Sequence, residues 1–195
     1  ERLAERAAGA LTDGGADSAA YFNSMPWERS AVVELPAGFA GARLPGGEPL
    51  PVQEKDGSRY VRVSLPAMGA VTLERADAAG PSAAAETGGL RATDRTLENE
   101  WLRIVLNEFG EIVELYDKET DSQWLSGLGN RFRMFRDQTS NYDAWEIDRR
   151  YAEAEIALPA KASVSVAAEG PLLAAVRVER ELNRSLLVQE IRLAA

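Results

Sequence analysis

Short alternating runs, broken repeatedly by glycine and proline, constrain the fold of this chain more than any other feature. In Arg59-Tyr60-Val61-Arg62-Val63-Ser64-Leu65 the apolar side chains of Val61, Val63 and Leu65 alternate with polar ones. That period of two belongs to a strand with one face buried. The first β-type runs fall at Tyr21-Phe22-Asn23, Ser30 to Leu35, Ser58 to Leu65 and Ala70 to Arg75. Leu44-Pro45-Gly46-Gly47-Glu48-Pro49 reads as a loop between strands. Asp77 to Gly89 is mostly Ala, Gly, Ser and Pro, the composition of a linker. A second series follows at Gly89 to Thr93, Leu97 to Leu106, Ile112 to Asp117, Arg131 to Phe135, Ala162 to Ala168, Leu172 to Leu182 and Ser185 to Leu193. Asn107-Glu108-Phe109-Gly110 makes a hairpin connection, with glycine where positive φ is wanted.

The expected class is all-β, built of β-sandwich domains with a short N-terminal helix. Glu1 to Leu11 reads as that helix, with Leu3, Ala7 and Leu11 on one face and a stop at Thr12-Asp13-Gly14-Gly15. It opens without a capping residue, as a helix cut from a longer one would. The expected organisation is a helix remnant and linker at 1–18, a small sandwich at 19–76, a linker at 77–88, and part of a larger sandwich at 89–195. The last run, Leu187 to Leu193, reads as a strand left at a sheet edge. An unpaired edge favours pairing between chains, so a homo-oligomer is expected.

Composition narrows the function. With 195 residues, 45% of them hydrophobic, the chain can build a sizeable core. No apolar run approaches the roughly 20 residues that span a bilayer, and the start lacks a secretion-type pattern. A cytoplasmic protein without a membrane partner is the expectation. The net charge is −9 and the basic residues are interspersed with acidic ones, which disfavours a nucleic-acid partner. Cysteine is absent, so thiolate chemistry and disulfides are excluded. Histidine is absent as well, which removes the Ser-His-Asp triad and the His-ligated zinc site.

Several segments carry a family resemblance. Phe22-Asn23-Ser24-Met25-Pro26-Trp27-Glu28-Arg29 resembles the segment that opens the first β-domain of family 38 glycoside hydrolases, the α-mannosidases. Leu97-Glu98-Asn99-Glu100-Trp101-Leu102-Arg103 is similar to a strand of that family, and Gly110-Glu111-Ile112-Val113-Glu114-Leu115-Tyr116-Asp117-Lys118 to the hairpin that follows it. Asn130-Arg131 and then Tyr142-Asp143-Ala144-Trp145-Glu146-Ile147-Asp148 continue the resemblance in the family's order. The resemblance implies a parent enzyme with an α/β barrel carrying an aspartate nucleophile and zinc, a three-helix bundle, and β-sandwich domains. One of those domains is a large galactose-mutarotase-like sandwich. It implies retaining hydrolysis of terminal α-mannosides or oligosaccharides by the parent. This chain would run from the last bundle helix part-way into the large sandwich. On that reading it holds no catalytic residue and no cofactor. Zinc belongs to the absent barrel, and the chain serves as scaffold and one wall of the cleft. The alternative is a carbohydrate-binding or structural β-sandwich module without an enzymatic parent.

The candidate contact residues are Asn141, Tyr142, Asp143, Trp145 and Asp148, in the irregular stretch from Asp137 to Tyr151. An aromatic ring packs on the apolar face of a pyranose, and carboxylates accept hydrogen bonds from its hydroxyls. Trp145 and Asp143 suit those roles; the competing reading places Trp145 in the core and the carboxylates on loop backbone. Asp143 with Asp148 or Glu146 could form a hydrolytic pair only at a suitable spacing across the bond. Asp137, Thr139, Asn141, Asp143 and Asp148 echo a calcium loop, but Tyr142 stands where that loop requires glycine. Trp27 is expected to pack across the small sandwich with Glu28 and Arg29 facing water. Trp101 and Trp124 read as core or domain-contact aromatics, and Tyr116-Asp117-Lys118-Glu119 as a strand end passing into a turn.

Overall fold

The computed structural model describes residues 15–81, 89–138, 142, 145–158 and 161–195. Among them the regular structure is β throughout, with one 3-10 turn at Tyr151–Glu153 and no α-helix. The helix expected at Glu1 to Leu11 lies outside the described residues, as does 82–88 of the expected linker. The chain divides into two compact units. The first comprises Glu1–Leu90, Gly170–Ala174 and Ala194–Ala195; the second comprises Arg91–Glu169 and Ala175–Leu193.

The first unit holds strands β1 (Ser18–Phe22), β2 (Arg29–Glu34), β3 (Gly41–Arg43), β4 (Gln53–Lys55), β5 (Ser58–Leu65) and β6 (Ala70–Ala76). They form two antiparallel sheets, ordered β1-β6-β3 and β2-β5-β4. The alternation in β5 does what its period predicts. Val61, Val63 and Leu65 are buried while Arg62 and Ser64 are exposed. Side chains from both sheets meet in one core, where these three join Ala42 of β3, Leu73 of β6, and Leu35 and Phe39 of the β2–β3 connection. β4 turns into β5 through Asp56 (φ 50°) and Gly57 (φ 80°). Asp-Gly with both residues at positive φ matches the twist of a two-residue hairpin.

The Phe22-Asn23 segment forms a turn held by its asparagine. Asn23 is buried, and its Nδ2 donates to the carbonyls of Trp27 (2.8 Å), Pro66 (3.0 Å) and Leu65 (3.3 Å). Its Oδ1 accepts the Met25 N–H at 3.1 Å. Trp27 does not pack across the unit as expected. It sits more than half exposed in the loop before β2, because the asparagine amide, not the indole, closes this end. Gln53 plays a comparable part: its Oε1 accepts the N–H groups of Leu172 and Leu173, each at 2.7 Å, and its Nε2 donates to the Leu173 carbonyl at 2.8 Å.

The second unit begins with β7 (Arg91–Ala92), β8 (Thr96–Glu98), β9 (Leu102–Leu106), β10 (Ile112–Asp117) and β11 (Ser122–Gln123), a five-stranded antiparallel meander. Leu97 to Leu106 is therefore two strands, not the single one its apolar content predicts. Asn99 makes the break. Its Oδ1 accepts the N–H groups of Trp101 (2.9 Å) and Leu102 (2.8 Å), an Asx turn that competes with strand continuation. Trp101 is left exposed on this turn and Trp124 exposed after β11, so neither is a core residue. Asp117 builds the turn between β10 and β11, its Oδ1 accepting the N–H groups of Glu119 (2.8 Å) and Thr120 (3.1 Å). Lys118 links the two turns by pairing with Glu98 at 2.7 Å and donating to the Asn99 carbonyl at 2.6 Å. On the polar face Arg103 pairs with Glu114 at 2.5 Å and lies 4.9 Å over the Tyr116 ring.

The remaining strands are β12 (Met134–Phe135), β13 (Glu155–Ile156), β14 (Ser163–Glu169), β15 (Leu173–Leu182) and β16 (Ser185–Ala194). The last three form a sheet in sequence order. Leu97, Ile104 and Leu106 on the meander and Val176, Val178 and Leu193 on this sheet are buried. Gly110 (φ 68°) closes the β9–β10 hairpin so tightly that a Cβ there would lie 2.3 Å from Val178 Cγ1.

Two predictions follow from these contacts. Leu73→Ala, at a fully buried position, should lower stability in urea unfolding by about 2–5 kcal/mol. Arg62→Ala, on the exposed face of β5, should change it by no more than roughly 0.5 kcal/mol. Equal losses would mean that the core is not where the burial places it. The second prediction concerns pH. The N–H groups of Thr120 and Glu119 and the Thr120 hydroxyl hold the Asp117 carboxyl below its ordinary range. A depressed carboxyl stabilises the fold above the unfolded pKa of about 3.9, and that contribution is lost as pH falls through the folded value. Asp117→Asn should therefore be less stable than the parent at neutral pH, with the gap closing in strong acid. A gap that stays constant with pH would contradict this role.

Candidate functional site

Between β12 and β13 the chain makes its longest excursion, and its base is firmly tied. Met134 pairs with Ile156 and Phe135 with Glu155, and the Arg136 N–H donates to the Ala154 carbonyl at 2.8 Å. Two-residue strands give a short ladder, so side chains reinforce it. Arg133 grips both oxygens of Glu155, Nε at 3.1 Å and Nη2 at 2.8 Å, and stands 4.7 Å over the Phe135 ring. Phe135 in turn meets Tyr151 edge-on, with centroids 5.1 Å apart. The bidentate pair holds the Glu155 carboxyl below its ordinary range and the Arg133 guanidinium above its own.

Beyond this base the Tyr142 carbonyl accepts the N–H groups of Trp145 (3.3 Å) and Glu146 (3.2 Å). That turn carries two aromatic rings into solvent, Tyr142 being 64% exposed and Trp145 90%. Trp145 therefore does not plug the core of this chain. Asp148 forms the following turn, its Oδ1 accepting the Arg150 N–H at 2.7 Å and its carbonyl accepting that of Tyr151 at 3.0 Å. A recess of about 360 Å³ opens here, lined by Arg136, Gln138, Asp148, Arg150, Tyr151 and Glu153.

Of the five candidate residues, the structure thus sets Tyr142 and Trp145 on one turn and Asp148 in the recess wall, while Asn141 and Asp143 lie outside the described residues. Sequence reasoning missed Arg136, Gln138, Arg150, Tyr151 and Glu153. The run Asp148-Arg149-Arg150-Tyr151, mixed charges beside an aromatic, was the available signal. The recess opposes two guanidinium groups to two carboxylates and adds an amide, so it offers donors and acceptors in near balance. That composition suits a neutral ligand rich in hydroxyls, with exposed aromatic faces nearby.

Metal binding has a weaker basis. Of the calcium-loop residues, Thr139, Asn141 and Asp143 lie outside the described residues, and Asp148 is engaged with Arg150. Among the described residues no group of three or more acidic side chains could hold an ion. Without histidine or cysteine anywhere in the sequence, the donor set does not fit zinc. No helix of the described residues is long and apolar enough to cross a membrane.

Comparison with known families places the chain. No curated protein matches the sequence. Residues 97–195, from β8 to the last residue, match the family model of the glycosyl hydrolases family 38 C-terminal domain. The match takes in the Asn99 and Asp117 turns, the Arg133–Glu155 ribbon and the aromatic excursion it carries. With just over half of its length matched, this all-β chain belongs to glycosyl hydrolase family 38, through the C-terminal domain of that family.

Proposed function

We propose that this chain is a non-catalytic β-domain portion of an α-mannosidase, and that its Tyr142–Asp148 turn forms one wall of the substrate cleft. The observation that carries the reading is the pairing of family membership with the exposed turn: an indole 90% exposed on a loop whose base is locked by Arg133, Glu155, Phe135 and Tyr151. Exposure of so large an apolar surface has a cost unless something covers it, and a sugar ring is a suitable cover. On this reading the two sheets of the first unit form a small β-sandwich and the second unit contributes to a larger, mutarotase-like one. Retaining hydrolysis needs two carboxylates about 5 Å apart flanking the bond, supplied on this reading by a separate catalytic domain of the parent along with its zinc. The part played by this chain is to orient. Trp145 stacks on the sugar, while Asp148 and Glu153 accept, and Arg136 and Arg150 donate, hydrogen bonds at the hydroxyls.

The test is direct. The purified chain, given a chromogenic α-mannoside with and without zinc, should show no turnover. Methyl α-mannoside should perturb the Trp145 indole resonance, and Trp145→Ala should weaken that binding roughly tenfold, the loss expected for a stacking contact of about 1–1.5 kcal/mol. Turnover abolished by Asp148→Asn would place the active site in this loop and overturn the proposal. Binding indifferent to Trp145→Ala would remove the cleft-wall role.

A further inference from the structure

A second recess, of about 280 Å³ and sharing no lining residue with the first, lies in the same unit, with Phe109, Leu128 and Phe132 as apolar lining and Arg131, Lys161 and Arg180 as cations. Arg180 is anomalous. Its Nε and Nη2 are closed to solvent and have no hydrogen-bond partner. The guanidinium stacks 4.7 Å over the Phe132 ring, and its Nη2 lies 3.0 Å from where a Cβ on Gly110 would sit. Burial lowers its pKa, opposed only by the charge of Glu111. Buried donors are nearly always paired, and an orphaned pair on a cation marks a missing acceptor.

The acidic neighbours do not fill that role. Glu111 lines the recess but is engaged elsewhere, one oxygen accepting Asn107 Nδ2 at 2.8 Å and the other 4.0 Å from Arg131 Nε. Glu181 also lines the recess without bonding Arg180. Three cations against two carboxylates leave the recess net positive. The chain also shows what the orphaned edge can hold. Nε and Nη2 are the two atoms with which Arg133 grips both oxygens of Glu155, the side-on geometry that matches a carboxylate. We propose that the Arg180 recess binds a carboxylate group, the guanidinium turning its Nε–Nη2 edge from the Phe132 ring towards the entering oxygens. Phe109 and Leu128, both partly exposed at the rim, cover the apolar body that carries the carboxylate. This site is independent of the proposed sugar wall.

Benzoate titrated into the full chain should shift the Arg180 Nε–H resonance, and benzamide, its neutral counterpart, should not at the same concentrations. Arg180→Met should weaken benzoate binding by about tenfold or more, the worth of a charge-assisted pair of hydrogen bonds. Methionine keeps the contact with Phe132 and removes the orphaned donors, so its unfolding midpoint should equal or exceed the parent's, which separates lost binding from lost folding. A glutamate blocked at both backbone ends tests the source of the group. Tighter binding than benzoate assigns the recess to a protein-borne carboxylate, and weaker binding to a free aromatic acid. An unmoved Arg180 resonance, equal shifts from benzamide, or undiminished binding by Arg180→Met would each overturn the proposal.

Discussion

Backbone groups at strand ends need partners, and the rest of this structure depends on how that need is met. Several strands here are only two or three residues long, so a large share of N–H and C=O groups fall outside any ladder. Among the described residues the buried polar ones are Asn23, Gln53, Lys55, Asn99 and Asp117, and the amides and carboxylate among them bind main chain. Asn23 ties the turn before β2 to the end of β5. Gln53 captures Leu172 and Leu173. Asn99 folds the β8–β9 hairpin of the meander and Asp117 the β10–β11 hairpin. Asn99 and Asp117 are short side chains that reach nearby backbone at little entropic cost, whereas Asn23 and Gln53 also tie together segments far apart in sequence.

This explains what the family resemblance consists of. Phe22-Asn23, Leu97-Glu98-Asn99 and Tyr116-Asp117-Lys118 are turn-forming segments, and the last two are joined by Lys118, which meets both Glu98 and Asn99. In these three segments the side chains of Asn23, Asn99 and Asp117 satisfy backbone groups. The match over residues 97–195 supports family membership more firmly than it supports any particular ligand.

The same distinction accounts for what could be read in the sequence. β5 was legible because its alternation spans a whole strand and one face is fully buried. The break at Asn99 was hidden, since Leu97 to Leu106 is apolar enough to pass for one strand and the Asx turn is a matter of one side chain. β11, β12 and β13 are too short to register any period. Tryptophan misled most. Trp27 is expected to pack across the small sandwich and Trp101 and Trp124 to be core or domain-contact aromatics, yet each sits at a turn or strand end and is exposed in this chain, which removes the core reading. Hydrophobicity predicts burial only when the backbone position faces a core, and in a chain of short strands many positions do not. Of the site, the excursion was visible as a lapse in alternation, whereas Arg136, Arg150 and Glu153 reach the recess only through the pairing of β12 with β13.

That pairing gives the candidate loop a fixed base. A loop of this length ordinarily varies its geometry, and contact residues on it lose precision. Here the ends are fixed by a bidentate ion pair, an edge-on aromatic contact and a hydrogen bond from Arg136 to Ala154, all within a few residues of each other. Tyr151 belongs both to this clamp and to the recess wall. A ligand that contacts Tyr151 in the recess would therefore touch a residue of the clamp.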